Sequence, residues 1–386
     1  MISVKSGLCR CAVYLLLIVT FNACSSASRE TQPEEDIAQH ARIENPGVSL
    51  PGVMNGSDNH ATSIVFGGDT HFDWGVADMQ NRHGDLWPVE DVVDIFHAAD
   101  YRIINLETSI SDRGAPFVKK SYIFNANPSR IALLNHMGVN VALLGNNHSM
   151  DMGKEGLDRM VYLLRQNGIL SVGAGENSRD AASPLYFRLE NKSFALLSLS
   201  SIGEEEIFSA RDRVGVARMT DYTIGQVRAV ARQAQVVMVS LHWGIEYHPR
   251  PASWQVQQAH ALIDAGAKLV IGHHPHIPQG IEMYRDGLII YSLGNFLFGS
   301  INEHQQDNIV VRVDFDEKDP VIKKVYIYPV FGRYRDEANR VRLLNMNETR
   351  AFWPRFIVQC RELSPRTADA LTVHPNGIGE LIIKPD

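Results

Sequence analysis

Short apolar runs alternate with amphipathic segments along most of this 386-residue chain. Apolar runs bounded by turn residues are typical of buried strands, and apolar residues that recur with the helical period are typical of helices. The predicted strands are 63–67, 101–105, 139–144, 170–173, 185–189, 194–199, 236–241, 269–271, 287–292 and 309–315, and the predicted helices are 89–98, 128–136, 154–166 and 255–265. This alternation favours an α/β fold over a helical bundle or a pure β-sandwich.

Residues 1–23 have the pattern of a bacterial signal peptide. Two basic residues precede an apolar run at 11–21, which is too short to span a membrane comfortably. The small residue before Cys24 favours lipoprotein processing, in which Cys24 becomes the lipidated N-terminus; ordinary secretion with cleavage nearby is the alternative. Residues 25–60 are rich in Ser, Glu, Pro, Asn and Gly, as in a flexible tether. We therefore expect an exported protein of the bacterial cell envelope, anchored through Cys24.

The rest of the chain is long enough for one large domain or two, and its continuous alternation favours one. Residues 61–300 form the predicted α/β domain. The segments 310–315, 321–330, 352–358 and 379–383 have strand-like patterns, so 301–386 is predicted to be a β-rich extension of the same domain. The net charge is −7 and no basic run occurs, which argues against nucleic acid as a partner.

Side chains that commonly bind metals follow five of the predicted strands. They are Asp69, His71, Glu107, Asn147, His148, His242, His274 and His276. Functional residues of α/β proteins cluster just beyond strand ends. This mixture of carboxylate, amide and imidazole suits Zn, Mn or Fe, and the chain has too few cysteines for a structural zinc site.

Each of these stretches also has an ordinary structural explanation. Asp69 follows two glycines, as turn residues do, and Asn147 belongs to a Gly-Asn-Asn sequence that favours turns. Asp151 is well placed to cap the helix predicted at 154–166. The histidines could be ordinary core or surface residues. Repetition at successive strand ends favours a site, as does Glu107, because a carboxylate after an apolar strand is costly unless it is paired or bound to metal.

Other polar and aromatic residues near these motifs have two explanations each. Lys119 and Lys120 either meet an anionic polymer or phosphate, or belong to a solvated loop. Trp243 and Tyr247 either pack against the site or face a substrate. Asn295 follows a predicted strand and is interpreted mainly as part of a turn that supports the histidine loop.

The order of these motifs resembles the CapA family of poly-γ-glutamate capsule biosynthesis proteins, which is related to the calcineurin-like metallophosphoesterases. The motifs are Gly-Asp-x-His (68–71), Asn-x-Glu (105–107), Gly-Asn-Asn-His-x-x-Asp (145–151), His-Trp-Gly-x-Glu-Tyr (242–247), Gly-His-His-Pro-His (272–276) and Tyr-Ser-Leu-Gly-Asn-Phe (291–296). The resemblance covers about residues 64–298. It implies a four-layer α/β/β/α sandwich of the metallophosphoesterase type that holds two divalent metal ions, with Mn, Zn and Fe as the candidates.

The resemblance also implies a role for each matching residue. It places Asp69, His71 and His276 on one metal, Asn147, His242 and His274 on the other, and Glu107 between them, where phosphoesterases generally use Asp. His148 matches the histidine that contacts the substrate phosphate or protonates the leaving group. Asp151 and Glu246 would orient a ligand or a ring from outside the ligand set.

Three functions are compatible with this sequence. One is an envelope-anchored, metal-dependent hydrolase or transferase acting on poly-γ-glutamate or a related polymer. The others are a non-catalytic accessory subunit of a membrane synthase complex and a periplasmic phosphodiesterase. The ligand set favours an enzyme, because a scaffold does not need carboxylates and histidines at strand ends. The expected partners are an anionic polymer or phosphoester substrate and a membrane synthase complex.

Overall fold

The computed structural model describes residues 62–300, 302–333 and 340–383. The predicted signal peptide, Cys24 and the tether lie outside the described residues. The helices of the described ranges are α1 (Gly75–His83), α2 (Val93–His97), α3 (Ile131–His136), α4 (Gly153–Gln166), α5 (Ser178–Ala181), α6 (Asp221–Val230), α7 (Ser253–Asp264), α8 (Met346–Leu363) and α9 (Pro365–Ala370). The strands are β1 (Ser63–Thr70), β2 (Tyr101–Leu106), β3 (Ser109–Ile110), β4 (Asn125–Ala126), β5 (Val141–Leu143), β6 (Leu170–Val172), β7 (Ala174–Gly175), β8 (Leu185–Leu189), β9 (Lys192–Ser200), β10 (Gly215–Val216), β11 (Val236–His242), β12 (Leu269–His273), β13 (Pro278–Tyr284), β14 (Gly287–Leu293), β15 (Asn295–Leu297), β16 (Asn308–Phe315), β17 (Ile322–Val330), β18 (Leu371–Val373) and β19 (Gly379–Ile382).

Two large sheets pack against each other through their inner faces. The larger sheet has the order β18-β19-β17-β16-β1-β2-β5-β6, with β15 beside β1, and the smaller has the order β13-β14-β12-β11-β9-β8. Side chains alternate across each strand, so Phe66 of β1 and Met238 of β11 meet in the core between the sheets. Their neighbours Val65 and Val239 point to the two outer faces.

Helices cover both outer faces of this pair of sheets. Phe96 of α2, Leu133 of α3 and Leu157 of α4 pack on the larger sheet. Val227 of α6 and Leu262 of α7 pack on the smaller one. The predicted four-layer α/β/β/α arrangement is therefore confirmed.

The predicted strands of the two sheets are confirmed with shifts of a few residues at their ends, but one C-terminal prediction is wrong. Residues 352–358, predicted as a strand, lie inside the helix α8. The helix predicted at 89–98 is reduced to α2, which follows a 3-10 turn at Trp87–Val89. The strands β16 and β17 are part of the larger sheet, because β16 pairs with β1. No helix in the described part of the chain has the length and apolar character needed to span a membrane.

Gly68 lets β1 approach the end of β14 closely, and this approach positions Asp69. A Cβ atom added at Gly68 would clash with the carbonyl oxygen of Gly294, which accepts a hydrogen bond from the backbone N–H of Asp69 at 3.0 Å. We expect Gly68→Ala to reduce the free energy of unfolding by about 2–3 kcal/mol, the usual cost of overpacking. Urea denaturation measures this. Gly225→Ala is the control. That exposed helical position has open space for a Cβ atom, so the substitution should raise the free energy of unfolding by up to about 1 kcal/mol. Equal stability of the wild type and Gly68→Ala would contradict the prediction.

Candidate metal centre

Carboxylates and imidazoles from both sheets converge where the central parallel strands end. Three groups have one ligand atom per residue within 4.8 Å of the others: Glu107 with His242 and His274; Glu246 with His274 and His276; Asp69 with Glu107 and His276. The structure therefore brings together Asp69, Glu107, His242, His274 and His276 from the predicted ligand set. It adds Glu246, which the sequence predicted only as an orienting residue.

Asp69 is fully buried at the end of β1 and is surrounded by hydrogen-bond donors and imidazoles. Asn105 Nδ2 donates to Oδ1 at 2.8 Å, and the backbone N–H of His274 donates to Oδ2 at 3.2 Å. The Nδ1 atoms of His273 and His276 lie 3.3 and 3.1 Å from the carboxylate. Burial opposes ionisation, but these imidazoles outweigh it and hold the pKa of Asp69 well below its usual value.

Glu107 follows β2 and is fully buried, and neither carboxylate oxygen has a hydrogen-bond partner in the described part of the chain. His242 Nε2 lies 3.5 Å and His276 Nε2 lies 4.0 Å from Oε1. Burial, reinforced by the negative charge of Asp69, raises the pKa of Glu107 well above its usual value. A carboxylate held in this way is suited to bind a cation.

The histidine loop bends sharply so that successive imidazoles reach the same region. His274 and His276 both have positive φ, at 92° and 57°, which non-glycine residues rarely adopt. His276 Nδ1 lies 2.9 Å from Asn295 Oδ1, so Asn295 orients this ring. Burial opposes protonation of His276, yet Glu107 and Asp69 raise its pKa to about 9. Burial and the charge of His276 lower the pKa of His274 to about 3.

Of the two adjacent asparagines, one shapes the loop and the other keeps a free oxygen. Asn146 Nδ2 donates to the Leu106 carbonyl at 2.9 Å, and its Oδ1 accepts from the backbone N–H groups of His148 and Ser149 at 3.0 Å. The Oδ1 of Asn147 is buried without a hydrogen-bond partner among the described residues. Asn147 as a metal ligand stays a prediction, and its free oxygen fits that role.

Asp151 connects His148 to the loop that precedes β4. Its Oδ2 lies 2.7 Å from His148 Nδ1 and accepts the backbone N–H of Phe124 at 2.6 Å. Lys120 forms an ion pair with the other oxygen, and its Nζ also donates to the carbonyl of Asn147 at 2.7 Å. Helix α4 has no side-chain N-cap hydrogen bond, so Asp151 is not a helix cap. It orients His148, whose pKa is lowered by burial against the opposing charge of Asp151.

His71 lies beside the centre but outside the three ligand groups. Its ring stacks on Phe124 with centroids 4.4 Å apart and meets Phe298 edge-on at 4.0 Å. Its Nε2 is buried and has no hydrogen-bond partner in the described ranges. Its Nδ1 accepts the backbone N–H of Asp73 at 3.0 Å. The predicted ligand role of His71 stays a prediction at this point.

His273 was not among the predicted ligands, and the roles of the neighbouring aromatics were left open by the sequence. His273 pairs in register with His242 across β12 and β11 and approaches Asp69, a contact between sheets that no local pattern indicates. Trp243 is a packing residue, because its ring is buried and its Nε1 donates to the carbonyl of Tyr291 at 3.1 Å. Tyr247 is half-buried, and its ring lies 6.0 Å from that of His276.

The donor set fits divalent metal ions. Buried side-chain atoms that would otherwise need hydrogen bonds lack them among the described residues: both oxygens of Glu107, Nε2 of His242, Nδ1 of His274, both ring nitrogens of His273, and Oδ1 of Asn147. Buried polar groups are normally paired, so this cluster of ligand atoms without hydrogen bonds is compatible with the binding of divalent cations. Carboxylate, amide and imidazole together suit Zn, Mn or Fe.

Comparison with known proteins identifies the family. The chain is 27% identical over 263 residues to "Capsule biosynthesis protein CapA" of Bacillus anthracis, covering 66% of this chain and 64% of that protein, so it spans less than two thirds of that relative's length. It is 29% identical over 265 residues to "PGA biosynthesis protein CapA" of Bacillus subtilis (strain 168), covering 68% of this chain and 70% of that protein.

Solved structures show more distant likenesses. A 5'-nucleotidase precursor from Thermus thermophilus has a TM-score of 0.42 and 11% identity, covering 77% of this chain and 58% of that one. A Haemophilus influenzae NAD nucleotidase has a TM-score of 0.40 and 11% identity, covering 77% and 62%. These likenesses are too distant to indicate an activity. The sequence matches the family described as "Bacterial capsule synthesis protein PGA_cap" over residues 63–300. That match covers more than half of the chain and confirms the resemblance seen in the motifs, and the chain therefore belongs to this family of bacterial capsule synthesis proteins.

Proposed function

We propose that this protein is an envelope-anchored, metal-dependent hydrolase or transferase that acts on poly-γ-glutamate or a related anionic polymer during capsule synthesis. The observation that carries the proposal is the buried carboxylate of Glu107, which has no hydrogen-bond partner among the described residues and faces His242 and His276 at 3.5 and 4.0 Å. Such an arrangement costs stability in the absence of a cation. An accessory subunit that only assembles a complex would gain nothing from it.

Two divalent ions would be held by neighbouring sets of ligands that share Glu107. The sets are Asp69, Glu107 and His276 on one side and Glu107, Asn147, His242 and His274 on the other. Bound there, the ions would lower the pKa of a water ligand and stabilise negative charge on the group under attack.

The protein's own residues supply the proton transfer. Asp151 accepts a hydrogen bond from His148 Nδ1, so Nε2 is the nitrogen of this ring that exchanges a proton with the substrate. Lys120 holds Asp151 in place from the other side. Nε2 of His148 first takes up a proton, and the imidazolium, held by Asp151 at Nδ1, then acts as the general acid that protonates the leaving group.

The substrate class and the location come from the family and from the N-terminal pattern. Two relatives are named for capsule or PGA biosynthesis, and poly-γ-glutamate is the polymer that the motif resemblance implies. Lys119, exposed beside Lys120, adds positive charge where a polyanion would approach. Lipidation of Cys24 would keep the domain at the membrane that exports the polymer.

Elemental analysis of the purified full-length protein tests this proposal, with hydrolysis of a generic phosphodiester and of poly-γ-glutamate assayed in parallel. We expect about two equivalents of transition metal per chain, as in two-metal sites. The double variant His242→Ala and His274→Ala should lose both metal and activity, whereas His83→Ala, an exposed histidine stacked on Trp87, should keep both. The substrate that is cleaved decides between the polymer and the phosphodiester. A fatty-acid label that is lost in Cys24→Ser tests the anchor.

Folded wild-type protein that takes up neither Mn nor Zn and cleaves neither substrate would refute the enzyme assignment. The accessory-subunit function would then account for the family membership.

A further inference from the structure

The two ring nitrogens of His71 have fixed and different roles. The backbone N–H of Asp73 donates to Nδ1 of His71 at 3.0 Å. A backbone amide always carries its hydrogen, so Nδ1 must be the acceptor, and in a neutral imidazole the ring hydrogen then sits on Nε2. A nitrogen that carries hydrogen has no lone pair to offer a metal ion.

The opposite arrangement holds at His276 and His148. Nδ1 of His276 faces two acceptors, Asn295 Oδ1 at 2.9 Å and Asp69 Oδ2 at 3.1 Å, so Nδ1 keeps its hydrogen and Nε2 is the nitrogen that loses its proton when a metal ion binds. Nδ1 of His148 lies 2.7 Å from Asp151 Oδ2 and 3.3 Å from Lys120 Nζ, and the shorter contact, to the carboxylate, assigns the hydrogen to Nδ1. In these two rings Nε2 can bind a metal ion or accept a proton, whereas in the ring of His71 the Nε2–H group can only donate a hydrogen bond.

His71 lies between His148 and His276 in an aromatic enclosure. Phe124 contacts the rings of His71 and His148, with centroids 4.4 and 4.2 Å away. Phe298 contacts the rings of His71 and His276, at 4.0 and 4.5 Å. The Nε2 atom is buried without a hydrogen-bond partner in the described part of the chain, so its donor stays unsatisfied unless a ligand accepts its hydrogen bond.

We propose that His71 is not a metal ligand and instead donates a hydrogen bond from Nε2–H to an anionic oxygen of the substrate. Asp69, Glu107 and His276 form a ligand group without it. A neutral donor in a water-excluded enclosure stabilises negative charge that develops on such an oxygen. The substrate role rests on the proposed function, whereas the position of the ring hydrogen and the exclusion of His71 from the ligand set do not.

Nitrogen NMR of the full-length protein with ¹⁵N-labelled histidine rings tests the position of the hydrogen directly. The His71 signals are assigned by their loss in His71→Asn and recorded without metal and after saturation with zinc. We expect protonated Nε2 and unprotonated Nδ1 in both states, while the signals of His276 change with zinc. Protonated Nδ1 in the metal-free protein, or direct zinc ligation at Nε2, would overturn the proposal.

Zinc and inorganic phosphate binding test the two halves of the proposal separately. His71→Asn keeps an acceptor for the Asp73 N–H but removes the Nε2 donor. His71→Gln returns an N–H near the Nε2 position. Both variants should bind zinc like the wild type, whereas His276→Asn should lose about 100-fold or more in affinity. Phosphate should bind about tenfold more weakly to zinc-loaded His71→Asn than to the wild type, with partial recovery in His71→Gln.

Loss of zinc from His71→Asn as large as that from His276→Asn would make His71 a ligand and overturn the proposal. Equal phosphate affinity in the wild type and His71→Asn, or no phosphate binding by either, would overturn the donor role. Circular dichroism and melting temperature establish that the variants fold. Wild-type protein that binds no zinc would refute the proposed metal-dependent function, and the NMR result on the metal-free protein would still decide where the hydrogen of His71 lies.

Discussion

Glu107→Met is expected to abolish divalent metal binding and, at the same time, to make the metal-free protein more stable. Both carboxylate oxygens of Glu107 are buried without hydrogen-bond partners among the described residues, and the imidazoles of His242 and His276, 3.5 and 4.0 Å away, offset only part of the cost of removing them from water. Met has a similar length and no polar oxygen. Removing the unpaired group should therefore raise the free energy of unfolding by about 1–3 kcal/mol.

The same substitution removes the ligand shared by two of the three ligand groups. We expect the affinity for Mn or Zn to fall by more than about 100-fold, since even residues that only support metal ligands often contribute that much. Isothermal titration measures the affinity, and urea denaturation of the chelator-treated protein measures the stability. Glu206→Met, an exposed glutamate, should change neither quantity. Lower stability of metal-free Glu107→Met than of the wild type would show that Glu107 is a structural residue.

The ligands of the candidate site are expected to favour metal binding but to destabilise the metal-free protein. This conflict explains why the candidate site could be predicted from the sequence. A polar ligand at the end of an apolar strand is unfavourable for folding alone, so Asp69 and His242, at the ends of β1 and β11, and Glu107, directly after β2, stand out from the apolar residues before them. The strand-end positions also predicted that these side chains would meet, because the strands run parallel within each sheet.

Contacts between the two sheets could not be predicted from the sequence. The approach of His273 to Asp69 depends on how the two sheets pack, and the convergence of His274 and His276 depends on positive φ values that the sequence does not indicate. The grouping of Glu246 with His274 and His276 also arises only through the fold, and the orienting role predicted for Glu246 stays a prediction. Local periodicity carries no information about such long-range placements.

The helix α8 was missed although its signals are present in the sequence. The run at 352–358 is rich in aromatic and β-branched residues, which favour a strand, and it contains Pro354, which disfavours a helix interior. The helical signals lie elsewhere. Asn345 and Glu348 form a capping box at the N-terminus, and Phe352, Phe356 and Cys360 recur every four residues on the buried face.

Asp151→Ala is expected to cause the largest loss of stability among single substitutions near the centre. The carboxylate of Asp151 is fully buried, and it pairs with Lys120, His148 and the backbone N–H of Phe124. Removing it leaves the mostly buried charge of Lys120 without its counterion. Breaking one side of a buried ion pair costs about 3–5 kcal/mol.

A double-mutant cycle with Lys120→Met separates the ion pair from the other contacts of Asp151. Lys120→Met should cost less than Asp151→Ala, because the carboxylate keeps His148 and the Phe124 N–H as partners. The double variant should be more stable than the sum of the single losses implies, with a coupling of about 1–3 kcal/mol, since no unpaired ammonium remains. Lys119→Met, a change at the exposed neighbouring lysine, should stay within about 0.5 kcal/mol of the wild type.

The cycle also reports on catalysis, because Asp151 holds the ring that is proposed to protonate the leaving group. Lys120→Met keeps the contact between Asp151 and His148, so it should reduce activity less than Asp151→Ala, which frees the His148 ring to rotate. Urea denaturation of each variant gives the coupling, and initial rates on the cleaved substrate give the catalytic effect. Strictly additive stability losses would mean that Lys120 and Asp151 do not stabilise one another. The loop from Lys120 to Phe124 would then be held over the centre by Phe124 and its ring contacts with His71 and His148.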